Sequence, residues 1–245
     1  MPAALEASRL VKSFGGVRAA NEVTLAVDSG EIRGLIGPNG AGKTTFVNLV
    51  TGVHAPDSGT IHLAGQEITG LAIDRIARCG LLRSFQVARL FGSLSVRDNL
   101  LTSFLARRRQ SATPNGDGRA ETARMLEITT LAPLADLPAK KLSGGQRALL
   151  QIACGFIVPA SCYVLDEPFA GINPVIKDAI IDLIVDVNRS HGSTFLVVSH
   201  EMTVIRKLCP QVTVMMDGRV AAEGTLDEVA RRPEVLAGYL GKALE

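Results

Sequence analysis

The sequence predicts an α/β protein whose core is interrupted by a helical lobe, and three observations carry that prediction. β-branched runs recur towards both ends of the 245-residue chain. A glycine-rich turn joins one such run to a helical segment, and strand signals fade between about residues 87 and 159. Composition sets the outer bounds. Hydrophobic residues make up 47% of the chain and charged residues 20%, which supports a sizeable core and excludes disorder. The 26 basic and 24 acidic residues leave a net charge of +2, which argues against a nucleic-acid binder yet leaves room for a local anion site.

Taken in order, the runs Val23–Val27 and Ile32–Ile36 read as strands separated by the turn Asp28-Ser29-Gly30. Thr44–Val50 then takes on helical character. Pro56-Asp57-Ser58-Gly59 is a strong turn before a short strand at Thr60–Leu63, and a further strand is expected over Leu81–Phe85. Within the helical stretch, the polar segment Arg107 to Arg119 reads as a surface loop. The run Arg107-Arg108-Arg109 fits either a phosphate patch or, more simply, a solvated helix end.

The α/β rhythm resumes after Pro159. Tyr163–Leu165 reads as a buried strand, and Pro174 opens a helix. Its residues Ile176, Ile180, Leu183, Ile184 and Val187 share one face. Thr194–Val198 is another strand. Val212–Met216, Asp217-Gly218 and Arg219–Ala222 form a hairpin with a two-residue turn. Two short helices, divided near Arg232-Pro233, close the chain. The longest apolar run, Phe156–Leu165, is broken by Pro159 and Ser161 and is half of what a bilayer needs, so no span is expected. The N-terminal residues show no secretory leader. Cys79, Cys154, Cys162 and Cys209 lack metal-site spacing and read as buried thiols, and the scattered histidines predict no zinc.

Three segments carry chemistry. Gly37-Pro38-Asn39-Gly40-Ala41-Gly42-Lys43-Thr44 satisfies G-x-x-x-x-G-K-[ST] between a strand and a helix. Such a turn aims backbone N–H groups at phosphate oxygens at the positive end of the helix. Lys43 adds a charge for the β- and γ-phosphates, and the Thr44 hydroxyl suits Mg²⁺; Thr45 completes the candidate phosphate-binding set. In Tyr163-Val164-Leu165-Asp166-Glu167, an apolar strand ends in two carboxylates. Asp166 is placed to hold Mg²⁺ through its hydration shell, and Glu167 to accept a proton from an attacking water. Leu142-Ser143-Gly144-Gly145-Gln146 makes a second anion-facing helix start, or a plain helix cap with Ser143 as the capping residue.

Together these segments resemble the nucleotide-binding subunit of an ATP-binding cassette (ABC) transporter. The resemblance implies a P-loop NTPase core with an inserted α-helical subdomain and an antiparallel β subdomain. Core and β subdomain would occupy about 1–86 and 160–245, and the helical subdomain about 87–159, within a single ABC ATPase domain. It implies further roles. Phe14 would stack on adenine, Gln86 would touch Mg²⁺ and water and hinge toward the membrane partner, and His200 would contact the γ-phosphate. Ala170-Gly171-Ile172-Asn173-Pro174 would cross the dimer seam, although Asn173 as cap and Pro174 at the first helical position also explain it locally. Ser143, Gly144, Gly145 and Gln146 would grip ATP bound to the other copy.

Phe14-Gly15-Gly16-Val17, Arg83-Ser84-Phe85-Gln86, Arg89-Leu90-Phe91, Ala170–Pro174 and Tyr239-Leu240-Gly241 are similar to LivG-type subunits of branched-chain amino-acid importers. Two positions depart from that pattern: Ser199-His200-Glu201-Met202 replaces Glu-His-Asp-Met, and Cys154 replaces an arginine. The resemblance implies ATP and Mg²⁺ as cofactors and a second ATPase subunit and transmembrane permease subunits as partners. It also implies an indirect link to a solute-binding protein and a peripheral place on the cytoplasmic face of the inner or plasma membrane. Leu90 and Phe91 would either face a coupling helix or fill the helical lobe. A non-transport or export-type ABC ATPase is the alternative within the family. The single cassette lacks the coiled coil of repair types and the paired cassettes of translation types, and no Asn-Lys-x-Asp motif supports a GTPase.

Overall fold

Two long strands, β1 (Ala3–Phe14) and β2 (Val17–Asp28), form an antiparallel hairpin turned at Gly15-Gly16. The computed structural model describes residues 3–84, 90–108 and 117–240. Sequence periodicity reveals only the second half of β2 because both strands are bulged. Register shifts interrupt the pairing, and Arg9 and Glu22 adopt left-handed φ of 47° and 57°. Each bulge breaks the alternation of inward and outward side chains on which strand recognition depends. With β4 (Ser58–Leu63) and β5 (Gln66–Glu67) the hairpin makes an antiparallel sheet ordered β2-β1-β4-β5.

The second sheet is ordered β10-β9-β3-β8-β7-β6 among the described residues. Its strands are β3 (Ile32–Ile36), β6 (Leu81–Ser84), β7 (Cys162–Asp166), β8 (Thr194–Val198), β9 (Gln211–Met216) and β10 (Arg219–Gly224). β9, β3, β8 and β7 run parallel, and β10 turns back against β9 through Asp217-Gly218, both at positive φ as a two-residue hairpin turn requires. β7 and β8 are buried almost throughout, as expected of parallel strands covered on both faces. Helix α1 (Lys43–Val50) buries Phe46, Val47, Leu49 and Val50 in a core to which both sheets contribute. Helix α2 (Ile73–Cys79), which the sequence does not advertise, has Ile76 as its buried residue and stops at Gly80, which caps it in the left-handed conformation.

The described residues divide into two compact units. The first takes those within Met1–Arg83, Ser161–Pro168 and Gly192–Glu245, and the second those within Ser84–Ala160 and Phe169–His191. The second unit is helical: α3 (Val96–Arg108), α4 (Gly118–Ile128), α5 (Gly144–Phe156) and α6 (Pro174–His191). It therefore includes α6 as well as most of the 87–159 segment. The apolar face of α6 is buried at Ile180, Leu183, Ile184 and Val187, while Ile176 is half-buried. Short helices α7 (Met202–Leu208), α8 (Leu226–Val229) and α9 (Pro233–Leu240) complete the first unit, the last two divided near Arg232-Pro233 as expected. Cys154, Cys162 and Cys209 are buried thiols, whereas Cys79 is half-buried. Gln86 lies outside the described residues, as do Phe85, Arg89, Arg109 and Gly241.

Candidate nucleotide site

The strand–turn–helix β3–loop–α1 builds one wall of a cleft of about 490 Å³. Asn39, Gly40, Ala41, Gly42, Lys43, Thr44 and Thr45 line it, joined by Ala19, Val198, Asp166 and Glu167. Gly37 and Pro38 lie at the start of the turn, and their carbonyls accept bonds from the Lys43 ammonium at 2.6 and 2.9 Å. Lysine is thereby folded across the loop, with Asp166 and Glu167 close enough to act on its charge. Burial pushes the Lys43 ammonium below the usual lysine pKa, and the two carboxylates pull it back up.

Glycine is required here by geometry. Gly37 has a φ of 149°, and a Cβ on it would stand 2.1 Å from the carbonyl oxygen of Met215. Gly42 has a φ of 97°, and its Cβ would stand 2.5 Å from the carbonyl oxygen of Ala19. The β9–β10 turn supports the loop, since the Gly218 N–H donates to the Ala41 carbonyl at 3.0 Å. Gly42 caps α1 without any side-chain bond, and no acidic residue occupies the first turn. The N-terminal N–H groups of α1 thus receive no side-chain acceptor, which suits them to phosphate oxygens.

β7 delivers the carboxylates. Asp166 is its last residue, and the Arg83 Nη2 donates to Asp166 Oδ2 at 2.7 Å. Glu167 follows with a φ of 51°, a left-handed conformation that costs a non-glycine residue about 1–2 kcal/mol. Its N–H donates to the Val198 carbonyl at 2.9 Å, so the neighbouring strand holds the turn. Strain at a residue singled out for proton transfer is the kind of backbone outlier that concentrates at functional sites. His200, just beyond β8, places Nδ1 2.9 Å from Glu167 Oε2, and its ring is two-thirds exposed. The structure therefore brings Lys43, Thr44, Asp166, Glu167 and His200 together within the first unit.

Phe14 is not core. It is 43% exposed at the tip of β1, edge-on to His54 with ring centroids 5.3 Å apart, and the Lys12 ammonium lies 5.7 Å from its centroid. Asp57 steadies this corner by accepting from Lys12 Nζ at 2.8 Å and from the Ser13 N–H at 2.7 Å.

Ser143 to Gln146 belong to the second unit and open α5. Ser143 Oγ accepts from the Gln146 N–H at 3.3 Å, and Gln146 Oε1 accepts from the Ser143 N–H at 2.9 Å, a complete capping box. Gly144 is exposed and faces open space, whereas a Cβ on Gly145 would stand 2.8 Å from Ile176 Cγ1. Asn173 likewise caps α6, its Oδ1 accepting from the Val175 N–H at 2.8 Å. Phe91 is 55% exposed and Leu90 half-buried; the buried Asn99 side chain accepts from the Phe91 N–H and donates to its carbonyl. Sequence reasoning did not single out Arg83 as a partner of Asp166, since a single arginine at a strand end carries no spacing signal.

Comparison with known proteins bears on the whole chain. Residues 20–170 match the family model described as ABC transporter. The chain is 34% identical over 255 residues to a probable branched-chain amino acid transport ATP-binding protein LivG of Archaeoglobus fulgidus, covering 97% of this chain and 95% of the relative. It is 36% identical over 250 residues to the high-affinity branched-chain amino acid transport ATP-binding protein BraF of Pseudomonas aeruginosa, covering 98% of each. Its fold is similar to the ADP conformation of a crystallised ATP-binding cassette of an ABC transporter, with a TM-score of 0.82 and 28% identity over 98% of this chain and 100% of that one.

Proposed function

Because this chain belongs to the ABC transporter family, we propose that it is the ATPase subunit of an importer for branched-chain or other hydrophobic amino acids. The observation that carries the reading is the convergence on one cleft of Lys43, Asp166 and Glu167, the last bonded to His200. The chain binds nucleotide and hydrolyses ATP, and it works with membrane permease subunits as ABC ATP-binding subunits do. Among the described residues no helix is long and apolar enough to cross a membrane; as an ABC ATP-binding subunit the chain would sit peripherally on the cytoplasmic face, against its permease.

The donor set fits Mg²⁺. A hydroxyl on Thr44 and a carboxylate on Asp166 line the same cleft, and hard oxygen donors are what that ion prefers. Thr44 and Asp166, with Gln86, would hold it, and when bound it neutralises charge on the phosphate oxygens. Lys43 and the N–H groups of Gly40–Thr44 cradle the β- and γ-phosphates, where fixed positive charge stabilises the transferring group. Glu167 orients the attacking water and takes its proton. His200 holds that carboxylate through Nδ1 and keeps an exposed ring for the γ-phosphate. Phe14 offers a ring to adenine.

The phosphate loop and the Ser143–Gln146 turn belong to different units. Two copies, or this chain and a related cassette, pack head to tail so that Ser143 and Gly145 of one close on the γ-phosphate held by the other. Hydrolysis removes that bridge and the pair reopens. Exposed Phe91, with Leu90, passes the motion to the permease. A solute-binding protein delivers the amino acid from the far side.

The test uses the complex of both ATPase and permease subunits in liposomes, with labelled leucine, isoleucine and valine supplied with the solute-binding protein. ATP-dependent uptake that Glu167→Gln abolishes, while ATP binding persists and closed dimers accumulate, is expected. Near-normal turnover in that variant overturns the assignment of Glu167. Full ATPase activity without uptake of any hydrophobic amino acid overturns the substrate assignment and favours export or another solute.

A further inference from the structure

Arg83 makes two bonds beside the nucleotide cleft, one of them to its lining residue Asp166. Arg83 is the third residue of β6, the strand beside β7 at the sheet edge. Its Nη1 donates to Asn48 Oδ1 at 2.7 Å and its Nη2 to Asp166 Oδ2 at 2.7 Å. Asn48 is on α1, the helix whose first residues are Lys43 and Thr44. One planar fork thus ties the strand-end carboxylate to the phosphate-loop helix. Both partners of the ion pair are mostly buried, with side-chain exposures of 25% and 20%, so the pair is screened far less than a surface bridge.

We propose that Arg83 is a positioning residue for the metal-facing carboxylate, fixing Asp166 through one oxygen so that the other is turned to the Mg²⁺ shell. This rests on the reading of Asp166 as the Mg²⁺ carboxylate. An opposite role is physically available, because an arginine beside a carboxylate can compete with a cation for it. The geometry favours positioning. The guanidinium engages Oδ2 alone, Asp166 Oδ1 accepts no bond from a described residue, and the second arm of the fork is committed to Asn48. The Nη1/Nη2 fork is thus divided between Asn48 and Asp166 rather than closed on the carboxylate. Outer-sphere partners that orient a metal ligand are typically worth about 10–100-fold in metal affinity.

The experiment titrates Mg²⁺ into the purified full chain with a fluorescent ATP analogue, beginning in EDTA. For Arg83→Gln the Mg²⁺ concentration giving half-maximal tightening rises about tenfold, while EDTA affinity stays within about twofold. Arg83→Lys behaves like Arg83→Gln, because the compact ammonium lacks the rigid planar fork whose two nitrogens reach Asn48 and Asp166 separately. Asn48→Ala, which keeps the ion pair and frees the arginine, raises the midpoint by a smaller factor and answers the question if Arg83→Gln does not fold. An unchanged midpoint, or a lower one, overturns the proposal, the lower one marking Arg83 as a competitor. Parallel loss of EDTA affinity also overturns it. Asp166→Asn separates the two readings: no change there sinks the Mg²⁺ role of Asp166, whereas a response there with none at Arg83 sinks only the positioning role.

Discussion

The chain has two glycine-rich helix starts, one in each unit, and they are physically unlike. At α1 the glycines adopt φ values other residues avoid, neighbouring backbone leaves no room for a Cβ on Gly37 or Gly42, and no side chain caps the helix. At α5 the glycines have ordinary φ, and Ser143 and Gln146 satisfy the helix end with their own side chains. The first turn carries its need for an anion in its geometry. The second is locally complete, so its function depends on what a neighbouring molecule brings to it. The lesson is that equal glycine content does not mean equal constraint.

The largest effect that can break this contrast is a pair of alanines. Gly37→Ala should destabilise the protein by about 3 kcal/mol or more, because a Cβ overlaps the Met215 carbonyl and backbone must move. Gly144→Ala should change stability by less than about 0.5 kcal/mol, as its Cβ meets nothing. Gly145→Ala should fall between, since Ile176 is a side chain that can yield. Thermal melts of the three variants check the order, and equal losses at Gly37 and Gly144 would erase the distinction drawn here.

Next comes charge in the cleft. Lys43→Ala should lower ATP affinity by about a hundredfold, since a half-buried ammonium facing phosphate is removed from a preorganised site. Ser143→Ala should cost about 1 kcal/mol of stability through the lost cap. It should leave monomer ATP affinity unchanged, while ATP-driven dimerisation is lost. Calorimetric titration and light scattering read the two quantities separately. Weakened ATP binding by the isolated Ser143→Ala chain would contradict action across a subunit boundary.

How much of this was legible beforehand follows from the same physics. Phosphate loop, hairpin turn and buried β7 and β8 were readable because each rests on a local rule: glycine for positive φ, Asp-Gly for a tight turn, unbroken apolar residues for a strand covered on both faces. β1 was not, because a bulge at Arg9 shifts the inward face by one residue partway along. α2 is short, with Ile76 its buried residue, which leaves no periodicity to find. At the site, Asp166 and Glu167 stood out as a pair, but the left-handed φ of Glu167 and the Arg83–Asp166–Asn48 bridge are properties of the fold. Asn48 and Arg83 meet only when β6, β7 and α1 come together.

The smallest effect sharpens the comparison from the helical side, where charges cluster between two helices of the second unit. Arg124 on α4 bonds Glu121 and, on α6, Asp186, and its Nη2 lies 3.1 Å from His191 Nε2. A guanidinium has no acceptor, so Nε2 must accept and the ring is neutral. Burial, then the Arg124 charge, pulls the His191 pKa below 6.5, with Glu121 and Asp186 opposing. The unfolded chain therefore takes up this proton first. Stability from the group is complete above about pH 6.5 and is lost as pH falls through the lower, folded value. His191→Gln should flatten that acid slope in melting temperature and leave the pH profile of ATP hydrolysis unmoved. A matching change in the hydrolysis profile would mean that this network reaches the nucleotide chemistry and is more than a tie between two helices.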